Sequence, residues 1–218
     1  INETITIPTL NDTFNAVVNW GDSSPLETIT AYNGFSHVYD TAGDYTISIT
    51  GVFPNIHINN GPEKLKIKRV LNLGTVGWTN FAGAFHGCTN LTEFTAGSTD
   101  TSGVLYANSM FQFCSGLTSV DVSFDTSSVT NMAYMFSLCD ALTSLDLSSF
   151  DTSSVASMSN MFRECSGLTS IDVSSFNTTS VQNISYMFNA CSGLTSLNVS
   201  SFVTSSVTDM SDTFRSCS

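Results

Sequence analysis

Six cysteines fall at nearly equal intervals along this chain: Cys88, Cys114, Cys139, Cys165, Cys191 and Cys217 stand 26, 25, 26, 26 and 26 residues apart. A period of this size means that one supersecondary unit is written repeatedly, each copy burying its apolar face only against its neighbours. Three residues after a cysteine comes an apolar position, Leu91, Leu117, Leu142, Leu168 or Leu194. Two more follow at offsets six and eight: Phe94/Ala96, Val120/Val122, Leu145/Leu147, Ile171/Val173 and Leu197/Val199. Alternation of this kind puts every second side chain on one face. It predicts a short parallel strand per repeat near 93–96, 119–122, 144–147, 170–173 and 196–199.

The other half of the repeat reads as a helix. Counting back ten, seven, four and three residues from a cysteine gives Val155, Met158, Met161 and Phe162, then Val181, Ile184, Met187 and Phe188. Spacings of three and four mark one helical face. Thr152-Ser153-Ser154 offers N-cap oxygens, and Gly116, Gly167 and Gly193 suit a left-handed C-cap. Phe150, Phe176 and Phe202, with Phe124 as their counterpart in the shorter repeat, plug the turn that leaves the strand. The expected unit is strand, turn, helix, stacked into a right-handed α/β solenoid with a parallel sheet.

Residues 1–55 follow a different pattern. β-rich segments Thr4-Ile7, Phe14-Trp20, Leu26-Thr30, Phe35-Tyr39 and Tyr45-Phe53 are separated by turn chemistry at Asn11-Asp12, Gly21-Asp22 and Ala42-Gly43-Asp44, which argues a β-sandwich. Val18-Asn19-Trp20-Gly21-Asp22-Ser23-Ser24, with Ser36-His37-Val38-Tyr39 and Gly43-Asp44-Tyr45-Thr46-Ile47, resembles the PKD domain. Ser23 departs from that pattern where the family has Gly. The repeated L-T-S-L-D-V-S-S-F-D-T-S-S-V with M-F-x-x-C resembles the BspA-type leucine-rich repeats of bacterial surface proteins, over roughly Leu65 to Ser218.

The expected organisation is therefore three parts. Residues 1–55 form an all-β, Ig-like or PKD-like sandwich, residues 56–80 a junction and degenerate capping turn, and residues 81–218 leucine-rich repeats of period 25–26. Pro54, Asn59-Asn60, Gly61 and Pro62 mark the junction as tight. Ile67, Val70, Leu71 and Leu73 cap the first coil and fix the sandwich against it. Ser218 falls one residue past a repeat cysteine, which reads as a fragment boundary and leaves an uncapped repeat through which the chain could self-associate.

Charge narrows the partners. Eighteen Asp and Glu against six Lys and Arg give a net charge of −12, so nucleic acid is excluded as a ligand. No window of about 20 apolar residues suggests a membrane span. The one cationic cluster, Lys64, Lys66, Lys68 and Arg69, reads as a solvated strand edge. The cysteines read first as a buried column of small hydrophobes, with disulfides between neighbouring turns and metal ligation as weaker alternatives. No C-x-x-C occurs, and His37, His57 and His86 have no ligand spacing. Neither a catalytic triad, a metal site nor a cofactor is expected.

The outward strand positions are what remains for function: Ser119, Asp121, Ser144, Asp146, Ser170, Asp172, Ser196 and Asn198. Parallel strands about 4.8 Å apart would stand Asp121, Asp146 and Asp172 in a row of mutually repelling carboxylates. Hydroxyls and water could absorb that repulsion, or the strip could bind a partner or cation. A second row, Asp125, Asp151 and Asn177, and a threonine row, Thr126, Thr152, Thr178 and Thr204, favour turn hydrogen bonds. Together with the resemblance, which implies a secreted or surface-attached bacterial protein without enzymatic activity, this reads as an adhesion module. It would recognise an extracellular protein or glycan ligand; the alternative is a stalk, fibre or surface-layer spacer.

Overall fold

The computed structural model describes residues 3–32 and 34–217; Ile1 and Ser218, on which the fragment reading rests, lie outside them. The first five strands, β1 (Glu3–Thr6), β2 (Asn15–Asn19), β3 (Glu27–Ile29), β4 (Ser36–Tyr39) and β5 (Ser48–Val52), fall in the five β-rich segments. β1 pairs antiparallel with β4, and a three-stranded antiparallel sheet runs β3-β2-β5. Alternate residues of β2, Ala16 and Val18, are buried, as period two requires. Between the sheets, the rings of Phe14, Phe35 and Phe53 meet with centroids 5.1–5.8 Å apart. Gly21 lies at φ 84°, and a Cβ there would sit 2.5 Å from the Thr46 carbonyl oxygen, so both the turn and the close approach need glycine.

Two small sheets form among the described residues of this region, and the expectation of an Ig-like or PKD-like sandwich is corrected. Residues 20–26 and 40–47 are spent on turns and bends. The strands are only three to five residues long.

The next segment is the first rung of a stack. Asn55 bridges in parallel to Asn80, and the same bridge recurs as Tyr106 to Asn131 to Ser157 to Asn183 to Asp209, so the 25–26 residue period reaches back to the presumed junction. The amide of Phe53 donates to Val76 O, that of Ile58 to Ala84 O and that of Asn60 to His86 O. Asn55, 1% exposed, fastens this rung to the sheets: its side-chain oxygen accepts from the Leu10 amide at 2.7 Å and its side-chain nitrogen donates to Asp12. Buried residues from Ile5 to Leu194 make one continuous core. A 3-10 turn, Pro62–Leu65, precedes β6 (Arg69–Val70), which pairs in parallel with β7 (Glu93–Thr95) and through it with β8 (Ser119–Asp121).

No α-helix occurs among the described residues. Val155, Met158, Met161 and Phe162 are buried as their spacing demands, but their backbone is a chain of tight turns. Met161 N donates to Met158 O and Cys165 N to Phe162 O, closing three-residue loops. The alternate amides are turned sideways: Met132, Tyr134, Phe136 and Leu138 donate to Ser157, Ser159, Met161 and Arg163 of the next rung at 2.8–3.0 Å. Two residues per rung, four apart, make this possible by adopting left-handed φ: Ser109 and Phe113, Tyr134 and Leu138, Asn160 and Glu164, Tyr186 and Ala190, Asp212 and Ser216, all at 53–61°. In the first such rung Gly83 and Gly87 do so.

The expected α/β leucine-rich-repeat solenoid is thereby overturned. A helix spends each amide on a carbonyl four residues back, whereas here alternate amides serve the neighbouring rung, and the left-handed pair interrupts any helical turn. The product is nearly all β and turn, with small sheets. Two of the five expected parallel strands form, β7 and β8; residues 144–147, 170–173 and 196–199 carry the expected burial alternation without strand pairing. Gly116, Gly167 and Gly193 are not left-handed C-caps. They are sites of close contact, where a Cβ would come within 2.3–2.4 Å of a carbonyl oxygen of the preceding rung. Thr152 caps no helix either, its carbonyl closing a turn to Val155 N.

Side chains repeat the rung-to-rung logic. Phe85, Phe111, Phe136, Phe162, Phe188 and Phe214 stack face to face in one file, centroids 5.5–5.9 Å apart. The hydroxyls of buried Thr126, Thr152 and Thr178 each bond twice to one residue of the next rung. Thr152, for instance, donates to Asn177 O at 3.0 Å and accepts from Asn177 N at 2.8 Å. The threonine row thus joins rungs rather than bracing its own turn.

Candidate ligand-binding site

The cysteine column lies inside the stack. All six thiols are free, five of them buried and Cys217 partly so. Each Sγ from Cys114 onward points its weak donor at a phenylalanine carbonyl of the preceding rung, Cys139 at Phe111 O and Cys165 at Phe136 O, at 2.9–3.1 Å. Burial pushes the Cys88 and Cys191 thiols up to about 12 and raises Cys114, Cys139 and Cys165 as well. Thiols held neutral are poor nucleophiles and poor metal ligands, so this column is packing.

Of the outward residues expected to form a binding strip, Ser119 on β8 and Ser144, Asp146, Ser170, Asp172, Ser196 and Asn198 beyond it are exposed, while Asp121 on β8 is half-buried. Their carboxylates are occupied locally. Asp121, Asp146 and Asp172 each accept the amide of the serine two residues on, Ser123, Ser148 and Ser174, at 2.9 Å, and Asn198 does the same for Ser200 at 3.0 Å. The hydroxyl and amide of those serines hold the Asp121 and Asp146 carboxyls below the usual range, and the amide and hydroxyl of Ser174 do so for Asp172. Local hydrogen bonding therefore outweighs the like-charge repulsion that the row suggested, and these aspartates build turns. Asp125, Asp151 and Asn177 do likewise for Ser127, Ser153 and Thr179.

The histidines are scattered. His37 Nε2 meets the Asp22 carboxylate at 2.7 Å and its ring stacks on Trp20. His57 Nδ1 sits 2.7 Å from Ala82 O, and His86 stacks on Phe113.

A more open arrangement lies on the left-handed corner of the rungs. Tyr134, Asn160 and Tyr186 occupy equivalent positions on three successive rungs, 26 residues apart, and each is the first left-handed residue of its rung. The backbone amides of all three are spent on the next rung, at Ser159, Ser185 and Ser211, and the three residues line a surface cavity. That cavity, about 460 Å³, is bounded by Tyr134, Ser159, Asn160, Arg163, Asn183, Ser185 and Tyr186, within the range of roughly 300–1,000 Å³ usual for small-ligand sites.

Its floor is polar. Asn160 is 6% exposed, and its backbone amide donates to Ser185 O at 2.8 Å. Arg163 Nε is buried without a partner, while its Nη2 pairs with Glu164 at 2.6 Å. Asn183 and Ser185 are already engaged with each other at 2.7 Å. The Asp212 carboxylate, hydrogen-bonded to the Tyr186 phenol, raises its pKa above the ordinary value. Buried polar groups without partners are costly, and a ligand bearing hydroxyls can both donate to and accept from an amide while its apolar face lies against a tyrosine ring. Sequence reasoning passed over these residues because it searched the strand face for aromatics. The signal was present as Tyr, Asn, Tyr at one repeat phase.

A family model described as "Mycoplasma protein of unknown function, DUF285" matches residues 79–172 and again residues 122–218. This finding, with the absence of α-helix among the described residues, overturns the resemblance to BspA-type leucine-rich repeats, and no match supports the PKD-like reading. No curated protein and no solved structure matches the chain.

Proposed function

The chain belongs to the DUF285 family, and from that premise and the geometry of the rung corner we propose that it is a non-enzymatic, extracellular binding module for carbohydrate. The repeat stack presents a sugar site between Tyr134 and Tyr186 with Asn160 at its floor. The observation that supports this reading is Arg163 Nε, buried without a partner, beside a cavity lined by Tyr134, Asn160 and Tyr186. Aromatic walls supply apolar faces for the C–H side of a pyranose, and the amide, Arg163 Nε and the serine hydroxyls supply directional hydrogen bonds. The described residues include no helix long and apolar enough to cross a membrane.

The test is a glycan array probed with the whole chain, followed by calorimetry on any hit. Tyr134→Ala, Tyr186→Ala and Asn160→Asp should each weaken a genuine hit at least about tenfold, a loss of about 1.4 kcal/mol, with circular dichroism unchanged. An array without hits, or hits indifferent to all three substitutions, would leave the stack as a spacer. Should Asp121, Asp146 and Asp172 to Lys remove binding while the tyrosine variants do not, the strip would be the site instead.

A further inference from the structure

A second and larger cavity lies where the antiparallel sheets meet the first rungs. It measures about 800 Å³. One wall is Ile5 of β1, Tyr39 of β4 and Ile47 and Ile49 at β5; the other is Ile67, Val70, Leu73, Val76, Trp78 and Phe85. It is an open cleft whose inner walls are side chains of the continuous core.

Its rim inverts the charge of the molecule. Four of the six Lys and Arg of this −12 chain stand within Lys64–Arg69, and Lys66, Lys68 and Arg69 line the cavity against the carboxylates of Glu3 and Asp44. The cluster is therefore more than a solvated strand edge. Lys66 is committed, with its ammonium 2.6 Å from Thr4 O and 2.8 Å from Glu63, and Lys68 is paired with Asp44. Arg69 forms no ion pair among the described residues, although guanidinium is the side chain best shaped to hold a carboxylate with two parallel hydrogen bonds.

We infer that this cleft binds a long-chain fatty carboxylate, its acyl chain between the Ile and Val walls and its head group on Arg69. Charge complementarity selects the occupant: an apolar cavity alone would accept any hydrocarbon, but a free cation at its mouth in so acidic a chain selects an anionic end. The site is remote from the tyrosine corner, so neither reading depends on the other.

The experiment uses the whole chain and two probes, oleate and oleyl alcohol, with 9,10-dibromostearate to locate them. Trp78 lines the cleft while Trp20 does not, so brominated acid should quench Trp78 fluorescence saturably and a Trp78→Phe variant should lose that quenching. Oleate is expected to bind about tenfold or more tighter than the alcohol, as a charge-assisted hydrogen bond implies. Arg69→Gln should reduce oleate to the level of the alcohol and leave the alcohol unchanged. Ile67→Trp, which narrows the apolar part of the cleft, should weaken both. Absence of saturable quenching, equal binding of the two probes, or indifference to both substitutions overturns the inference. So does binding seen only with phosphatidylcholine vesicles and not with monomeric oleate.

Discussion

Residues 3–52 and residues 53–217 both lack α-helix among the described residues and both hold groups of aromatic rings, yet they solve the backbone hydrogen-bonding problem differently. In the first region, strands pair antiparallel, and side chains alternate between core and solvent along extended backbone. In the second, almost no backbone is extended. A rung folds through tight turns, and left-handed residues aim alternate amides at carbonyls 24–25 residues away. The lesson is that periodic burial and lateral pairing need not come from strands or helices; a repeated turn can supply both if each rung tolerates two residues at positive φ.

The ring file separates the regions most strongly. Phe162 touches Phe136 on one side and Phe188 on the other, so Phe162→Ala opens a cavity in two inter-rung contacts at once. A loss of about 3–5 kcal/mol is expected for a buried Phe→Ala change, read from urea denaturation. A loss below about 1.5 kcal/mol would mean that rings do not hold the rungs, and that backbone ladders do.

One substitution can then be made in both regions. Thr152→Val removes a buried hydroxyl that satisfies both N and O of Asn177, and stranding a buried polar group costs about 1–3 kcal/mol. Thr50→Val, on the exposed face of β5, should fall within about 0.5 kcal/mol of the parent. Equal effects at the two sites would erase the distinction between side-chain bonds that join rungs and side chains that merely decorate a strand.

Acid gives a gentler probe. The Asp121, Asp146, Asp151, Asp172 and Asp209 carboxyls are all held below their ordinary value by the hydroxyl and amide of the residue two positions on. A group depressed in the folded state stabilises above its unfolded pKa, about 3.9 for Asp, and that contribution disappears as pH falls through the folded value. The stack should therefore weaken progressively below about pH 4. Asp146→Asn should be within about 0.5 kcal/mol of the parent at pH 7, since Asn198 already makes the same turn bond, and it should lose less on acidification. A strong loss at pH 7 would show that Asp146 does something an asparagine cannot.

Much of this architecture could be read from residues alone. The cysteine period located the rungs, and the buried face of each was assigned correctly at Val155, Met158, Met161 and Phe162 because burial depends on spacing. Conformation did not follow, because spacings of three and four arise equally from helical turns and from successive three-residue loops. The left-handed positions held no common residue to betray them: Phe113, Leu138, Glu164 and Ala190 share one phase and no chemistry. The rung at 53–60 was hidden for a related reason, since Pro54, Asn59 and Asn60 replace the Met-Phe pattern there while keeping the backbone contacts. The tyrosine corner was legible only as a phase, Tyr134, Asn160, Tyr186, and only once that phase was known to face outward.

The smallest effect tests that conformational difference by its sign. Ala190 sits at φ 57°, where the Cβ of an L-residue costs roughly 1–2 kcal/mol. Glycine removes that crowding and loses in return roughly 0.5–1 kcal/mol through the greater freedom of its unfolded chain. Ala190→Gly is therefore expected to be neutral or to stabilise by up to about 1 kcal/mol, and Gly83 and Gly87 already occupy the corresponding pair of left-handed positions. In a helix the same change would destabilise by about 0.5–1 kcal/mol. Ala107→Gly, at a buried alanine without positive φ, is the matched control and should cost at least that much. Paired urea melts of the two variants decide the matter. If Ala190→Gly destabilises as much as Ala107→Gly does, position 190 is not left-handed in solution, and the sideways amide ladder from Ala190 to Arg215 falls with it.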